Sequence, residues 1–267
     1  MRLAQVAHNP GVVWWRRRPE CPVRPVEQDW IERSMDWFVA EFGTAVLAGP
    51  IVLPTDDYFP GAYVGSRADV ERVMGLLCGH MGVDPERVEL EHFSDEDRTE
   101  LSSHVPLNTT WSGAAGHHRM RDGRSVIGIR EQQARRPMAL VATIAHELGH
   151  ALLIGSDRIS VGEREDHEPL TDLLTVYFGL GIFTANAAFE FFHEARGGIT
   201  YTGRNTYTRT SRLGYLTEPM YGYALARYAW LRGESDPDWA DHLDTNPRSF
   251  LMRGLRYLAT IEPAGRA

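Results

Sequence analysis

The sequence predicts an α+β protein built as one two-lobed unit. A mixed N-terminal lobe with a small sheet spans residues 1–115, and a mainly helical lobe spans residues 116–267. Three observations predict this. Short β-rich segments and the turn signal Asp122-Gly123 fall in the first half of the chain. From Pro137 onward, apolar residues recur at helical spacing with few breakers. A hydrophobic content of 43%, with seven Trp, ten Tyr and ten Phe among 267 residues, is enough for a substantial core.

The elements follow in order. Residues 1–25 are rich in Pro and Arg and read as an irregular arm. Residues 26–42 read as a helix with Trp30, Ile31, Trp37, Phe38 and Phe42 as apolar positions and Gly43 as its stop. Ile51-Val52-Leu53 is a short strand candidate, and Asp56 to Gly61 a loop. Ser66 followed by Asp69 caps a helix over 67–81, whose buried side carries Val70, Val73, Met74, Leu77 and Met81. Residues 87–93 read as a strand. Asp122-Gly123 joins Ser125 to Ile129, the clearer strand, to a weaker partner near 107–112 or 117–121. Helices are expected at about 137–154, 169–182, 184–195, 218–232 and 247–259, the last opened by Asn246-Pro247.

Composition narrows the function classes. A formal charge of −8 disfavours nucleic acid or an anionic membrane as the main partner. No run of about 18 apolar residues is present, so no membrane span is expected. Two cysteines, Cys21 and Cys78, are too few for a disulfide framework, and Cys78 falls on the apolar side of a helix. Near the start, Arg16-Arg17-Arg18 follows a short apolar run, the reverse of a secretory signal's order, so the cytoplasm is the expected location.

The chemistry concentrates in His146-Glu147-Leu148-Gly149-His150. This is an H-E-x-x-H pattern on a segment that reads as a helix from Pro137 without a breaker. Residues four apart share a helix face, so both imidazoles can meet one metal ion, with Glu147 beside them as general base. A catalytic zinc site takes three protein ligands, so a third is expected downstream. Glu168 and Asp172 are four apart on a segment otherwise rich in Leu, Val, Tyr and Phe, whose polar stripe is Glu168, Asp172 and Thr175. Buried carboxylates need a partner, and a metal ion held by two imidazoles would be one. Glu163, Glu165 and Asp166 are alternative ligands, as is Asp172 itself.

Residues 137–183 resemble the gluzincin, or thermolysin-like, zinc metallopeptidases, in which H-E-x-x-H on one helix is followed by E-x-x-x-D on the next. Here Glu168-Pro169-Leu170-Thr171-Asp172 follows His150 after 17 residues. The resemblance implies a zincin-like fold, with Glu168 as third ligand and Asp172 holding His146 through its other ring nitrogen. It also implies a strand before the motif helix that pairs at a sheet edge with extended peptide. Two positions depart from the pattern. His167 stands where these enzymes have Asn, and Pro169 is expected to keep Glu168 extended, at the threshold of the helix and not inside it.

Peptidases of this class stabilise the oxyanion with a Tyr or His from the helical lobe. Tyr215, just before a helix start, is the candidate among the tyrosines of 200–223. His117-His118 reads as a solvent-facing pair in a Gly/Ala loop. Asp95-Glu96-Asp97 and 163–166 read as solvated acidic turns. The expected function is a zinc-dependent metallopeptidase acting on a peptide or protein, with zinc activating water and Glu147 handling its proton. The alternative is a zinc-stabilised binding or regulatory protein with a latent site. Oligomeric state is left open.

Overall fold

The computed structural model describes residues 18–94, 110–112, 116–160, 162, 164–188 and 216–261. Within them the chain is α+β, mostly helical, with one small sheet. No helix among the described residues is long and apolar enough to cross a membrane.

Helix α1, Pro25–Phe42, begins with proline at its first position, where no intrahelical donor is needed. The Glu27 carboxylate accepts the Arg24 backbone N–H at 2.9 Å, closing the first turn. Ile31, Met35 and Phe38, at i, i+4 and i+7, are fully buried, and Gly43 ends the helix at φ 84°. The short helix α2, Thr44–Leu47, follows directly. Ile51-Val52-Leu53 forms no strand. Val52 N–H donates to the Gly179 carbonyl at 3.0 Å and the Leu53 carbonyl accepts the Thr55 N–H at 2.9 Å, and no second strand lies alongside to form a ladder among the described residues. Helix α3, Arg67–Met81, has the expected cap: Ser66 Oγ accepts the Asp69 N–H and the Asp69 carboxylate accepts the Ser66 N–H. All five apolar residues expected on its inner side are buried, together with Cys78.

The sheet has the order β1-β4-β3-β2, with β1 Val88–Phe93, β2 Thr110–Ser112, β3 Gly116–Arg121 and β4 Arg124–Arg130. Both stretches considered as partners for the Asp122-Gly123 hairpin are strands. The 116–121 stretch pairs with β4, and 110–112 pairs with β3 in turn. Asp122 and Gly123 take positive φ values of 50° and 77°, the backbone a two-residue hairpin turn requires. β1 runs parallel to β4 on its other side. The strand over 125–129 is therefore central, not an edge, since a parallel partner from residues 88–93 covers the side the sequence left open. Among the described residues, the edges are β1 and β2. The sheet draws strands from both the 1–115 and the 116–267 stretches, and one core cluster runs from Val23 to Leu258.

Ser125, Ile127 and Ile129 face inward and are buried. Glu89 and Glu91 of β1 lie on the outer face and pair with Arg119 and Arg121 of β3, bridging over β4. Against the inner face packs α4, Pro137–Leu153. Next comes α5, His167–Tyr177, then helical residues 181–188 (α6), α7 Glu218–Leu231 and α8 Thr245–Ile261. α5 starts two residues earlier than expected and stops at Tyr177, where Gly179 takes φ 76°. Glu168 is thus inside the first turn. Pro169 is tolerated there because first-turn N–H groups have no intrahelical acceptor to lose.

Helix α1 braces α5. The Phe38 and Tyr177 rings lie 5.5 Å apart, and Trp30 Nε1–H donates to Asp166, the residue before α5, at 2.7 Å. α7 and α8 pack most closely through small residues. A Cβ on Gly254 would stand 2.6 Å from Ala226 Cβ, and one on Gly222 would overlap Phe250 Cβ and crowd the Leu251 backbone nitrogen. Leu251, Leu255 and Leu258 supply the buried stripe of α8. Gly222→Ala should therefore force these helices apart and destabilise the protein by about 1–3 kcal/mol. A urea unfolding curve checks this, and an unchanged midpoint would contradict it.

Candidate metal centre

The motif helix is buried around its whole circumference from Ala139 to His150. Such a helix reads as nearly continuous apolar sequence, which Met138 to Ala145 does. Its polar groups then stand in a region where each needs a partner. His146 is 5% exposed, and Glu147 and His150 have no exposed surface.

α5 lies across this helix, and the two meet at Gly149. A Cβ there would stand 2.7 Å from Thr171 Cγ2, so any other residue would have to push Thr171 aside. That approach brings Glu168 onto both imidazoles. Its Oε2 lies 3.0 Å from His146 Nε2 and 3.4 Å from His150 Nε2. One ligand atom from each of the three residues lies within 4.8 Å of the others, making a group able to hold a metal ion. Bonds of about 2.0–2.1 Å from nitrogen or oxygen to zinc imply tetrahedral edges of about 3.3 Å, so the two measured separations suit such an ion.

The far nitrogens are fixed separately. His146 Nδ1 lies 2.8 Å from Asp172 Oδ1, and the other Asp172 oxygen accepts the Leu216 N–H at 3.0 Å. A carboxylate oxygen accepts, so a proton on His146 Nδ1 makes the Asp172 contact, while Nε2 lies against Glu168. His150 Nδ1 lies 3.3 Å from Thr171 Oγ1. His150 Nε2 is buried with no hydrogen-bond partner although a carboxylate oxygen is 3.4 Å away. A cation between this nitrogen and the carboxylate would pair with both.

The electrostatics follow from this crowding. Burial by itself would lower the pKa of His146, but hydrogen bonds to Asp172 and Glu168 outweigh it and hold that pKa well above the ordinary value. Burial, aided by the charge of His146, lowers that of His150 against the opposing pull of Glu168. Glu168 is held well below the carboxylate range. Burial opposes this, but the hydrogen bond from His146 and the closeness of both histidines prevail. Glu147 is pushed up to about 8, chiefly by burial, with His146 opposing and Glu168 adding.

The sequence candidates distribute as follows. His146, His150 and Glu168 converge, with Glu147 on the same helix. Asp172 sits on the opposite nitrogen of His146 from Glu168. Asp166 is taken up by Arg164 and Trp30, and Glu165 is exposed. Glu163, Tyr215 and Asp95 to Asp97 lie outside the described residues. Thr175, expected on the polar stripe, instead bonds the Asp172 carbonyl and Thr184, away from the histidines.

Two residues near the cluster were missed in the sequence. Thr171 reaches His150. His118 is not solvent-facing: it is 2% exposed, its Nε2 lies 3.1 Å from Ser125 Oγ, and its ring is 5.8 Å from that of His150. The signal for His118 was hairpin register. With a two-residue turn at 122–123, His118 falls opposite Ile127, and opposed residues share a face. His167 also lies close, its ring 6.0 Å from that of His150.

Comparison with protein-family models, curated proteins and solved structures finds no match to this chain.

Two predictions follow from the geometry. Gly149→Ala should weaken zinc binding and destabilise the fold by about 1–3 kcal/mol, because α5 must retreat from the histidines. Unchanged zinc affinity by competitive titration would contradict this. The second concerns pH in the metal-free protein. The raised pKa values of His146 and Glu147 mean that the folded state binds more protons than the unfolded one above the ordinary His value of about 6.5. Chelator-treated protein should therefore lose stability from about pH 6.5 to 8, as these groups release their protons. Urea midpoints that rise with pH over this window would contradict it.

Proposed function

We propose that this chain is a zinc-dependent hydrolase with a gluzincin-like site in a zincin-like fold, and that it acts as a metallopeptidase on peptide or protein substrates. The observation that carries the reading is the donor set. Two imidazole Nε2 atoms and one carboxylate oxygen converge in a buried site, and one of those nitrogens has no hydrogen-bond partner. The residues fit zinc by type and number: two His and one Glu are a catalytic and not a closed structural set. Zinc bound there would polarise a carbonyl and lower the pKa of water.

The chain's own residues supply the rest. Asp172 holds the His146 ring in place through Nδ1. Glu147, next to His146 in sequence and fully buried, takes a proton from the attacking water and returns it to the leaving amine. Its elevated pKa before metal is bound reflects a dry pocket, where a carboxylate is a stronger base than in water.

Burial of Glu147 and both histidines also favours a second reading, a zinc-stabilised binding or regulatory protein with a latent site. Cleavage of a peptide library with a chelator control separates the two. Under the first reading the purified protein holds one equivalent of zinc, and Glu147→Gln keeps the metal while turnover falls below detection. Retained turnover in that variant would overturn the mechanism. Zinc binding without cleavage by the wild type would favour the second reading.

A further inference from the structure

We propose that Thr171 is a positioning residue for the metal site: its hydroxyl fixes the tautomer of His150 and turns the Nε2 lone pair toward Glu168. This rests on the metal reading given above and adds to it a residue that neither the motif nor the acidic pair contains.

A threonine hydroxyl has one proton and two lone pairs. Thr171 Oγ1 donates its proton to the His167 carbonyl at 2.8 Å. Only lone pairs remain toward His150 Nδ1 at 3.3 Å, so that contact is a hydrogen bond only if Nδ1 carries the proton. The neutral ring has one N–H, and with it on Nδ1, Nε2 is bare. This is the nitrogen that lies buried without a hydrogen-bond partner beside Glu168. Thr171 is fully buried, and its methyl group lies against Gly149.

The two histidines are therefore held by unlike partners. Asp172 offers a full charge to His146, and Thr171 offers a neutral oxygen to His150. One short stretch, Glu168-Pro169-Leu170-Thr171-Asp172, delivers all three contacts, because positions i, i+3 and i+4 share a helix face. The working pattern on α5 is E-x-x-T-D. Backbone geometry reinforces it, for the carbonyl that takes the threonine proton belongs to the residue just before Glu168. Displacing Glu168 would disturb the support of His150 at the same time.

The test compares Thr171→Val, which keeps the shape and removes the hydroxyl, with Thr171→Ser, which keeps the hydroxyl and removes the methyl. Zinc affinity is measured by competition with a chromophoric chelator, and the ligand field by the visible absorption of the cobalt(II)-loaded protein. Thr171→Val should lose about 10–100-fold in zinc affinity, the usual effect of removing a partner of a ligating histidine, and should change the cobalt spectrum. Thr171→Ser should keep affinity and spectrum close to the wild type. Unchanged affinity in Thr171→Val would overturn the proposal. Equal losses in both variants would also overturn it, since the methyl packing on Gly149 would then be what matters. A measurement on the unaltered protein covers the case in which Thr171→Val does not fold. In zinc-loaded wild type the His150 Nδ1 proton should be protected from exchange by NMR, and a freely exchanging proton there would overturn the proposal. If the wild type binds no zinc, the metal centre itself falls and this inference with it. If it binds zinc and only the Thr171 results fail, the metal centre stands.

Discussion

Helix α5 brings a carboxylate to the two histidines of α4 across a contact in which the Thr171 methyl occupies the space a side chain at position 149 would take. Gly149 makes that possible. Its missing Cβ leaves room for the Thr171 methyl, and the two helices settle at a separation that places Glu168 Oε2 within 3.4 Å of both Nε2 atoms. Everything else in the site follows from this contact. With α5 an ångström further out, His146 would lose Asp172 and His150 would lose Thr171, and each buried ring would keep a polar atom with no partner.

The surroundings hold α5 at this distance from several sides. α1 packs Phe38 against Tyr177 and ties Trp30 to Asp166, bracing the end and the start of α5. Asp172 also accepts the Leu216 N–H, so the carboxylate that orients His146 anchors the chain just ahead of α7. On the opposite side of α4, the central strand β4 is covered on both edges, giving the motif helix a rigid, apolar floor. The buried charges are thus assembled within an already determined frame, consistent with ionic groups being poor drivers of folding by themselves.

The helices were legible because their causes are local. Ser66 with Asp69, Gly43 and the i, i+4, i+7 stripes all act within a few residues. The triad of His146, His150 and Glu168 was legible for a similar reason: spacing along two helices places each candidate on a face. The sheet order was not, because the pairing of Val88–Phe93 with Arg124–Arg130 joins strands more than 30 residues apart, and nothing in either stretch names its neighbour. The same pairing turned an expected edge strand into a central one. His118 was misread because a Gly/Ala-flanked His-His pair looks like a loop until the hairpin register is applied.

The sequence alone determined which chemical groups are present, which helix carries them and which residues share a face. Those properties depend on the 3.6-residue repeat and on side-chain type. Only the tertiary structure decided what each group meets. Whether Thr171 or Thr175 serves a histidine depends on where α5 crosses α4, and that crossing is set by a glycine 22 residues away from Thr171 in the chain. Whether Asp172 faces the metal side or the far side of His146 is a matter of angle, which spacing does not encode. The position of His150 Nε2, buried beside Glu168 without a hydrogen-bond partner, is a consequence of that crossing.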